Sequence, residues 1–353
     1  AKRMIRFATS LVGHWPGGLG LGAVVACALF AAISGSSPAT VVAVGSILIP
    51  AMVKAGYPLR FGAGVVAASG GLGILIPPSI VMVMYAVSTN SSIGALFMAG
   101  VMPGLVLTAM LMFTTWYRAR SKGYPKEKRA NWGERWTAFR ESIWGLALII
   151  VVMGGIYTGL FTPTEAAAMS AVYAFFVAVF VYKDLKLKDV PKTLLASANM
   201  SAMLLYIITN AILFSFLLTH ENIPQAISEW LLSNGLGTIG FLLAVNILLL
   251  VMGNFMEPSS IILITAPILF PIAMKLGIDP IHFGVLITVN MEIGMITPPV
   301  GLNLYVASGI SKLGLSEMTV AVWPWLLTML VFLVIVTYWP PLSIWLPRAL
   351  GMM

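Results

Sequence analysis

Apolar residues run along this chain in stretches too long for a soluble core, and the stretches are interrupted at paired places. Gly20 to Val53 is apolar on both sides of Ser34-Gly35-Ser36-Ser37-Pro38-Ala39-Thr40, and Phe241 to Met274 is apolar on both sides of Gly253-Asn254-Phe255-Met256-Glu257-Pro258-Ser259-Ser260. Each flank is about 13 residues, whereas a helix needs about 20 to cross a bilayer. Both stretches therefore predict a re-entrant helical hairpin with a polar tip. Each is followed by a longer apolar run that carries a Pro-Pro pair, at Gly73-Ile74-Leu75-Ile76-Pro77-Pro78 and at Gly294-Met295-Ile296-Thr297-Pro298-Pro299. Proline removes a backbone donor and clashes with the preceding turn, so two in succession predict an unwound, broken helix. In hydrocarbon, unwound backbone persists only when buried in protein or lining a cavity. Four interruptions at membrane depth predict one central polar site.

The two sets are copies of one unit. A step of 221 positions carries Pro50 onto Pro271, Lys54 onto Lys275, Gly56 onto Gly277, Gly73 onto Gly294, Pro77-Pro78 onto Pro298-Pro299 and Pro103 onto Pro324. Between and after them, uninterrupted spans are expected over 92–116, 143–160, 166–182, 194–218 and 322–339. Thr162-Pro163-Thr164-Glu165 reads as a capping box at the start of one span, with threonine as N-cap and glutamate returning to the free amides.

Composition agrees with this picture: 59% of residues are hydrophobic, 9% are charged and the mean hydropathy is +0.97, which makes an integral membrane protein. The net charge of +8 lies in two loops, Arg118 to Arg140 and Lys183 to Lys192. Basic loops between apolar spans face the cytoplasm, and the charges form no continuous face for nucleic acid. Walking outward from them places 54–60 inside and 88–91, 220–225 and 234–237 outside, with the C-terminus outside. The first hairpin then opens to the cytoplasm and the second to the exterior, so the repeats are inverted. Trp132, Trp136, Phe139 and Trp144 among arginines predict an amphipathic helix at the cytoplasmic surface. Ala1 is not an initiator methionine, and a piece of a longer protein is expected. Cys27 reads as a small buried hydrophobe, Gly17 to Gly22 as a close-packing face, and the three histidines lack partners at metal-ligand spacing. The chain has no ATP-binding motif.

Helix ends set what the central site can hold. At each break the preceding half-helix presents free carbonyls, which suit a sodium ion, and the following half-helix presents free amides, which suit a carboxylate. Ser36, Ser37, Thr40, Ser259, Ser260, Thr297 and Asn303 add hydroxyl and amide groups that complete either shell. Glu257 and Glu292 are the two carboxylates within the repeats at membrane depth. Glu257 precedes Pro258 at a half-helix start and fits a cap; Glu292 fits a structural hydrogen bond or a place near the cation.

The motifs Ser34 to Thr40, Ile76-Pro77-Pro78-Ser79, Phe161 to Ala168 and Asn290 to Asn303 together resemble the large membrane subunit of tripartite ATP-independent periplasmic (TRAP) transporters, in the dicarboxylate branch. The resemblance covers essentially the whole chain, but the family's opening helices are missing from it. It implies an all-α elevator fold like that of the ion-transporter superfamily. Residues 1–19 would be partial scaffold or linker. Residues 20–91 would be the first transport-domain repeat, with its hairpin over 20–53 and broken helix over 61–88. Residues 92–235 would be scaffold with a cytoplasmic arm over 126–142. Residues 236–311 would be the second repeat, with its hairpin over 237–276 and broken helix over 281–309, and 312–353 an arm and a last scaffold helix. The implied activity is sodium-coupled import, across the bacterial inner membrane, of a small carboxylate. C4-dicarboxylate is preferred over sialic acid or another organic acid. The implied partners are a periplasmic substrate-binding protein and a small membrane subunit. The family's sodium sites map onto Ser34, Gly35, Ser37, Gly73 and Ile76 for one ion and Gly253, Asn254, Met256, Gly294 and Thr297 for the other. The substrate would meet Ser36, Ser37, Thr40, Pro78, Ser259, Ser260, Thr297 and Asn303. No Arg or Lys falls at membrane depth, so the anion would rest on amides, hydroxyls and sodium. A channel would need a continuous polar helix face, and an intramembrane enzyme a nucleophile with its base; neither pattern is present.

Overall fold

The computed structural model describes residues 1–222, 226, 229 and 237–353. Among these residues every regular element is helical, and eight segments are long and apolar enough to cross a membrane. In chain order the α-helices are α1 (Lys2–Val12), α2 (Gly18–Ser34), α3 (Ser37–Lys54), α4 (Leu59–Gly70), α5 (Leu72–Leu75), α6 (Ile80–Thr89), α7 (Ile93–Ser121) and α8 (Trp132–Tyr157). There follow α9 (Pro163–Phe176), α10 (Val190–His220), α11 (Thr238–Gly253), α12 (Pro258–Lys275), α13 (Pro280–Gly294), α14 (Leu302–Ser311), α15 (Leu315–Tyr338) and α16 (Pro341–Ala349).

The first tip is tighter than the sequence predicts. Only Gly35 and Ser36 separate α2 from α3, and Thr40 already lies in the first turns of α3. Gly35 closes α2 in the left-handed region at φ 59°, a conformation glycine takes without a Cβ penalty. Ser36 is the N-cap residue and Pro38 sits in the first turn of α3, where a missing N–H costs nothing. The second tip is longer: residues 254–257 join α11 to α12, and Glu257 caps α12 by accepting from the Ser260 amide at 3.1 Å.

Both Pro-Pro stretches are unwound. Between α5 and α6 the chain leaves the helix at Ile76 and re-enters at Ile80. The Ser79 hydroxyl spans this gap, donating to the Ile74 carbonyl at 2.5 Å and accepting from the Met82 amide at 3.3 Å. Between α13 and α14 residues 295–301 are non-helical. The Pro77–Pro78 and Pro298–Pro299 peptide bonds are both cis.

The repeats are interleaved rather than side by side. The pair α2–α3 packs on α4, and α11–α12 packs on α13. The second arm of each pair also reaches the far half-helix of the other repeat, α3 on α14 and α12 on α6. The helices that follow the repeats, α7 and α15, carry Pro103 and Pro324 and close over the broken helices: α7 packs on α5 and α13, and α15 on α4, α13 and α14. Trp325 of α15 is fully buried and donates from Nε1 to Thr115 Oγ1 of α7 at 2.9 Å.

Segments assigned to one side of the membrane by charge gather at one edge. Arg3 pairs with Asp184 at 2.9 Å, Arg6 with Glu141 at 2.9 Å and Arg60 with Glu317 at 2.7 Å, while Tyr57 Oη donates to the Pro125 carbonyl at 2.7 Å. These pairs are largely solvent-exposed and contribute little energy each, but they fix which loops are neighbours. The other edge joins Tyr85 to the Pro280 carbonyl at 2.7 Å and Arg348 to Asp279 at 3.6 Å.

Two details differ from the sequence reading. Of the surface helix expected over 126–142, residues 126–131 are non-helical and 132–142 are the first part of α8, which continues unbroken through the span. No Gly or Pro lies between Phe139 and Trp144 to stop it, and its start is fixed by a capping box of Asn131 with Glu134. Likewise Leu315 to Met318 begins α15 directly rather than a separate arm. The exterior positions expected at 223–225 and 234–236 lie outside the described residues.

Candidate functional site

Each tip sits on the break of its own repeat, through the same contact made twice. The Ile80 amide donates to the Gly35 carbonyl at 3.4 Å, and the Gly301 amide donates to the Asn254 carbonyl at 3.4 Å. Ile80 and Gly301 are 221 residues apart, the repeat step.

At the first tip the hydroxyls and carbonyls converge on Gly73. Thr40 Oγ1 donates to the Ser36 carbonyl at 2.8 Å and lies 2.9 Å from Ser34 Oγ, and Ser34 Oγ also reaches the Ser36 carbonyl at 3.2 Å. A Cβ on Gly73 would lie 2.6 Å from the Ser36 oxygen and 2.8 Å from Thr40 Oγ1. Only glycine lets tip and break approach so closely. Ser37 Oγ anchors the tip to the end of α4, donating to the Gly70 carbonyl at 2.9 Å. At the second tip Gly253 meets Gly294: a Cβ on either would lie 2.9 or 2.7 Å from the other's Cα.

Asn303 joins the two halves. Its Nδ2 donates to Ser37 Oγ at 2.6 Å and to the Ala67 carbonyl at 3.3 Å, while its own amide donates to the Met295 carbonyl at 2.9 Å. One side chain thus ties the second break to the first tip and to the end of α4. Its Oδ1 is buried without a donor, as is Asn254 Oδ1 at the second tip. Buried oxygens of this kind are rare, because leaving one unsatisfied costs about 1–3 kcal/mol. Oxygens without a donor are the kind of ligand a hard, oxygen-seeking cation takes.

The predicted residues are therefore not all equivalent. Ser34, Gly35, Ser36, Ser37, Thr40, Gly73 and Asn303 form one contiguous cluster, and Gly253, Asn254 and Gly294 a second. Ile76 begins the unwound segment, extended at the end of α5. Thr297 lies in the second break, its hydroxyl donating to the Ile293 carbonyl at 2.7 Å. Ser259 Oγ donates to Glu257 Oε1 at 2.9 Å and the Ser260 amide to Glu257 Oε2, so among the described contacts these serines serve the α12 cap. Met256 is exposed. Pro78, with Ser34 and Gly35, lines a cavity of about 450 Å³ that α8 and α9 close from the far side. At the head of α9 the Glu165 carboxylate accepts from the Thr162 amide at 2.8 Å, and Thr162 Oγ1 accepts from the Glu165 amide at 3.3 Å.

Sequence reasoning missed Ser69 and Asn290. Both are fully buried, and Ser69 Oγ and Asn290 Oδ1 lack donors. The signal was present, since the two positions are related by the 221-residue step.

Comparison with known proteins agrees with this architecture. Residues 1–342 match the family model described as "Tripartite ATP-independent periplasmic transporter, DctM component". A protein of Rhodobacter capsulatus named "C4-dicarboxylate TRAP transporter large permease protein DctM" is 69% identical over 366 residues, covering 100% of this chain and 83% of that protein. The protein of the same name from Pseudomonas aeruginosa is 57% identical, covering 100% of this chain and 82% of that protein. A Vibrio cholerae protein named "Sialic acid TRAP transporter large permease protein SiaM" is 36% identical, covering 98% of this chain and 81% of that protein. With a family model spanning nearly its whole length and the paired tip-and-break geometry in both halves, this multi-pass membrane chain belongs to the DctM family of TRAP transporter large permeases.

Proposed function

We propose that the chain is the membrane carrier of a sodium-coupled importer of C4-dicarboxylates. Its substrate comes from a periplasmic binding protein, and a small membrane subunit works beside it in the bacterial inner membrane. The observation that carries this reading is the repeated contact between tip and break, closed into one centre by Asn303 and Ser37. Sodium would sit among oxygens of Ser34, Gly35, Ser37, Gly73 and Ile76 in the first half and of Gly253, Asn254, Met256, Gly294 and Thr297 in the second. The donor-free Oδ1 of Asn254 and of Asn303 fit a hard cation. The dicarboxylate would meet amides and hydroxyls of Ser36, Ser37, Thr40, Pro78, Ser259, Ser260, Thr297 and Asn303. The preference for C4-dicarboxylate over sialic acid follows the relatives, whose names change from the first to the second as identity falls from 69% to 36%.

The motion proposed is an elevator, with both tips re-entrant and the C-terminus periplasmic. The moving unit is the two repeats, 20–91 and 236–311. Because α7 and α15 pack on the broken helices of both repeats, they belong with that unit, whereas the sequence reading grouped them with the scaffold. The membrane-facing α8, α9 and α10 are then the frame. Most of their side chains are exposed, as lipid or a small subunit would require.

Proteoliposomes holding this chain and its small subunit, with the binding protein outside, test the reading. A sodium gradient without ATP should drive labelled succinate to accumulate above its equilibrium level. Accumulation unaffected by replacing sodium with choline, or flux that needs no binding protein, contradicts it.

A further inference from the structure

At the end of α2 opposite the first tip, a groove combines charge with apolar depth. There α2 and α7 touch along a seam of small residues. A Cβ on Gly17 would collide with the Ala119 methyl, and one on Gly20 would lie 3.0 Å from Thr115 Cγ2. Beside this seam the larger side chains leave a groove. Its mouth, about 730 Å³, lies among Trp15, Trp116, Arg120, Tyr124 and Lys126. An inner part of about 290 Å³ runs on between Leu21 of α2 and Ala109, Met112 and Phe113 of α7. Trp15 and Trp116 line both parts, which makes them one groove. Ala109, Phe113, Trp116 and Arg120 follow one another at helical spacing, so a single face of α7 forms its floor.

The mouth is held in shape from several sides. The Tyr124 amide donates to the Ala119 carbonyl at 2.9 Å, Tyr57 Oη donates to the Pro125 carbonyl at 2.7 Å, and the Glu127 amide donates to the Gly13 carbonyl at 3.0 Å. The backbone of Lys126 is thus held between two tied neighbours. Arg120 is placed by Trp116, its guanidinium 5.2 Å from the ring centroid. No acid is among the lining residues. Among the described residues neither Arg120 nor Lys126 is in an ion pair, whereas Arg3, Arg6 and Arg60 on the same edge all are.

The depth of the groove matches one leaflet. Ala109 lies eleven residues from Arg120, about 16 Å along a helix that rises about 1.5 Å per residue, and half a hydrocarbon core is about 15 Å. The groove therefore descends from the headgroup level, where tryptophans settle, to about the middle of the bilayer. Charge decides what fits it. An apolar partner helix would bury two cations without counter-charge, which is costly, whereas a lipid phosphate supplies that charge. We propose that this groove binds one anionic glycerophospholipid of the leaflet that the basic loops assign to the cytoplasm. Its phosphate sits on Arg120 and Lys126, its glycerol lies at the level of Trp15 and Trp116, and an acyl chain runs along Leu21, Met112 and Phe113. The inference is independent of which ion or substrate the chain carries.

To test it, the complex of this chain with its small subunit is delipidated in neutral detergent and titrated with phosphatidylglycerol or with phosphatidylcholine of the same acyl chains. Native mass spectrometry counts the bound lipid. The first phosphatidylglycerol should bind about tenfold more tightly than phosphatidylcholine. Arg120→Gln with Lys126→Gln should bring the two lipids level. Lys128→Gln with Arg129→Gln, an equal loss of charge outside the groove, should keep the preference. Ala109→Phe should weaken both lipids by filling the inner part, and glycerol 3-phosphate should not compete, because it lacks an acyl chain. The proposal is overturned by wild type that binds both lipids alike, by a preference that survives loss of Arg120 and Lys126 or is lost equally with Lys128 and Arg129, or by competition from glycerol 3-phosphate. Should a variant fail to fold, wild type still decides: phosphatidylglycerol with a photoreactive diazirine on its acyl chain should label residues 109–116 in the assembled complex. Labelling confined to other segments, as when the small subunit covers the groove, contradicts the site.

Discussion

At the scale of single residues, the site depends on side chains that are small or missing. Gly253 and Gly294 meet backbone to backbone, and a methyl on Gly294 would sit 2.7 Å from the Gly253 Cα, closer than real carbon atoms pack. The second tip would have to lift from its break. Gly294→Ala should therefore reach the membrane in normal amount yet lose most sodium-dependent uptake, at least tenfold, since a displacement of tenths of an ångström spoils both a cation shell and a preorganised anion seat. Gly309→Ala is the matched control, because nothing lies within 4 Å of its added carbon, and it should transport normally. Equal activity of the two variants would mean that the glycine contact is incidental.

At the scale of elements, the interruptions and the caps are local features, and they were legible. A Pro-Pro pair unwinds whatever precedes it, whereas the helices flanking the tips run 16–18 residues, longer than the flanks read from the sequence, and α3 and α12 are among the eight segments long and apolar enough to cross a membrane. Thr162 and Glu165 form a reciprocal pair at the start of α9. Thr162→Ala should accordingly cost about 1 kcal/mol and lower the unfolding midpoint in detergent slightly, with uptake unchanged; lost uptake at an unchanged midpoint would point to a functional role instead. What stayed hidden was long-range. Asn303 and Ser37 are separated by 266 positions, and no local rule joins them. Gly71 against Glu292 was likewise invisible until the fold placed a residue on its own repeat mate. The continuity of α8 was misread because its aromatic, basic first turns suggested a surface helix, although nothing in the chain stops it before the apolar span.

At the scale of the whole molecule, interleaving makes the two halves one body. Because α3 lies on α14 and α12 on α6, each repeat packs on the far half-helix of the other, so under the elevator motion proposed above a bound cation and anion would travel together. The bond from Asn303 to Ser37 is the shortest side-chain link between the halves at the site. It can be tested directly, since the single native cysteine, Cys27, is buried and removable. In a Cys27→Ser background, Ser37→Cys with Asn303→Cys is oxidised in membranes after a protease site has been inserted at 183–189. Cleaved halves that stay together until reduced are the predicted result. Halves that separate under oxidation, although each single-cysteine protein is membrane-inserted and reactive to thiol reagents, would show that the mirrored interruptions do not share a centre.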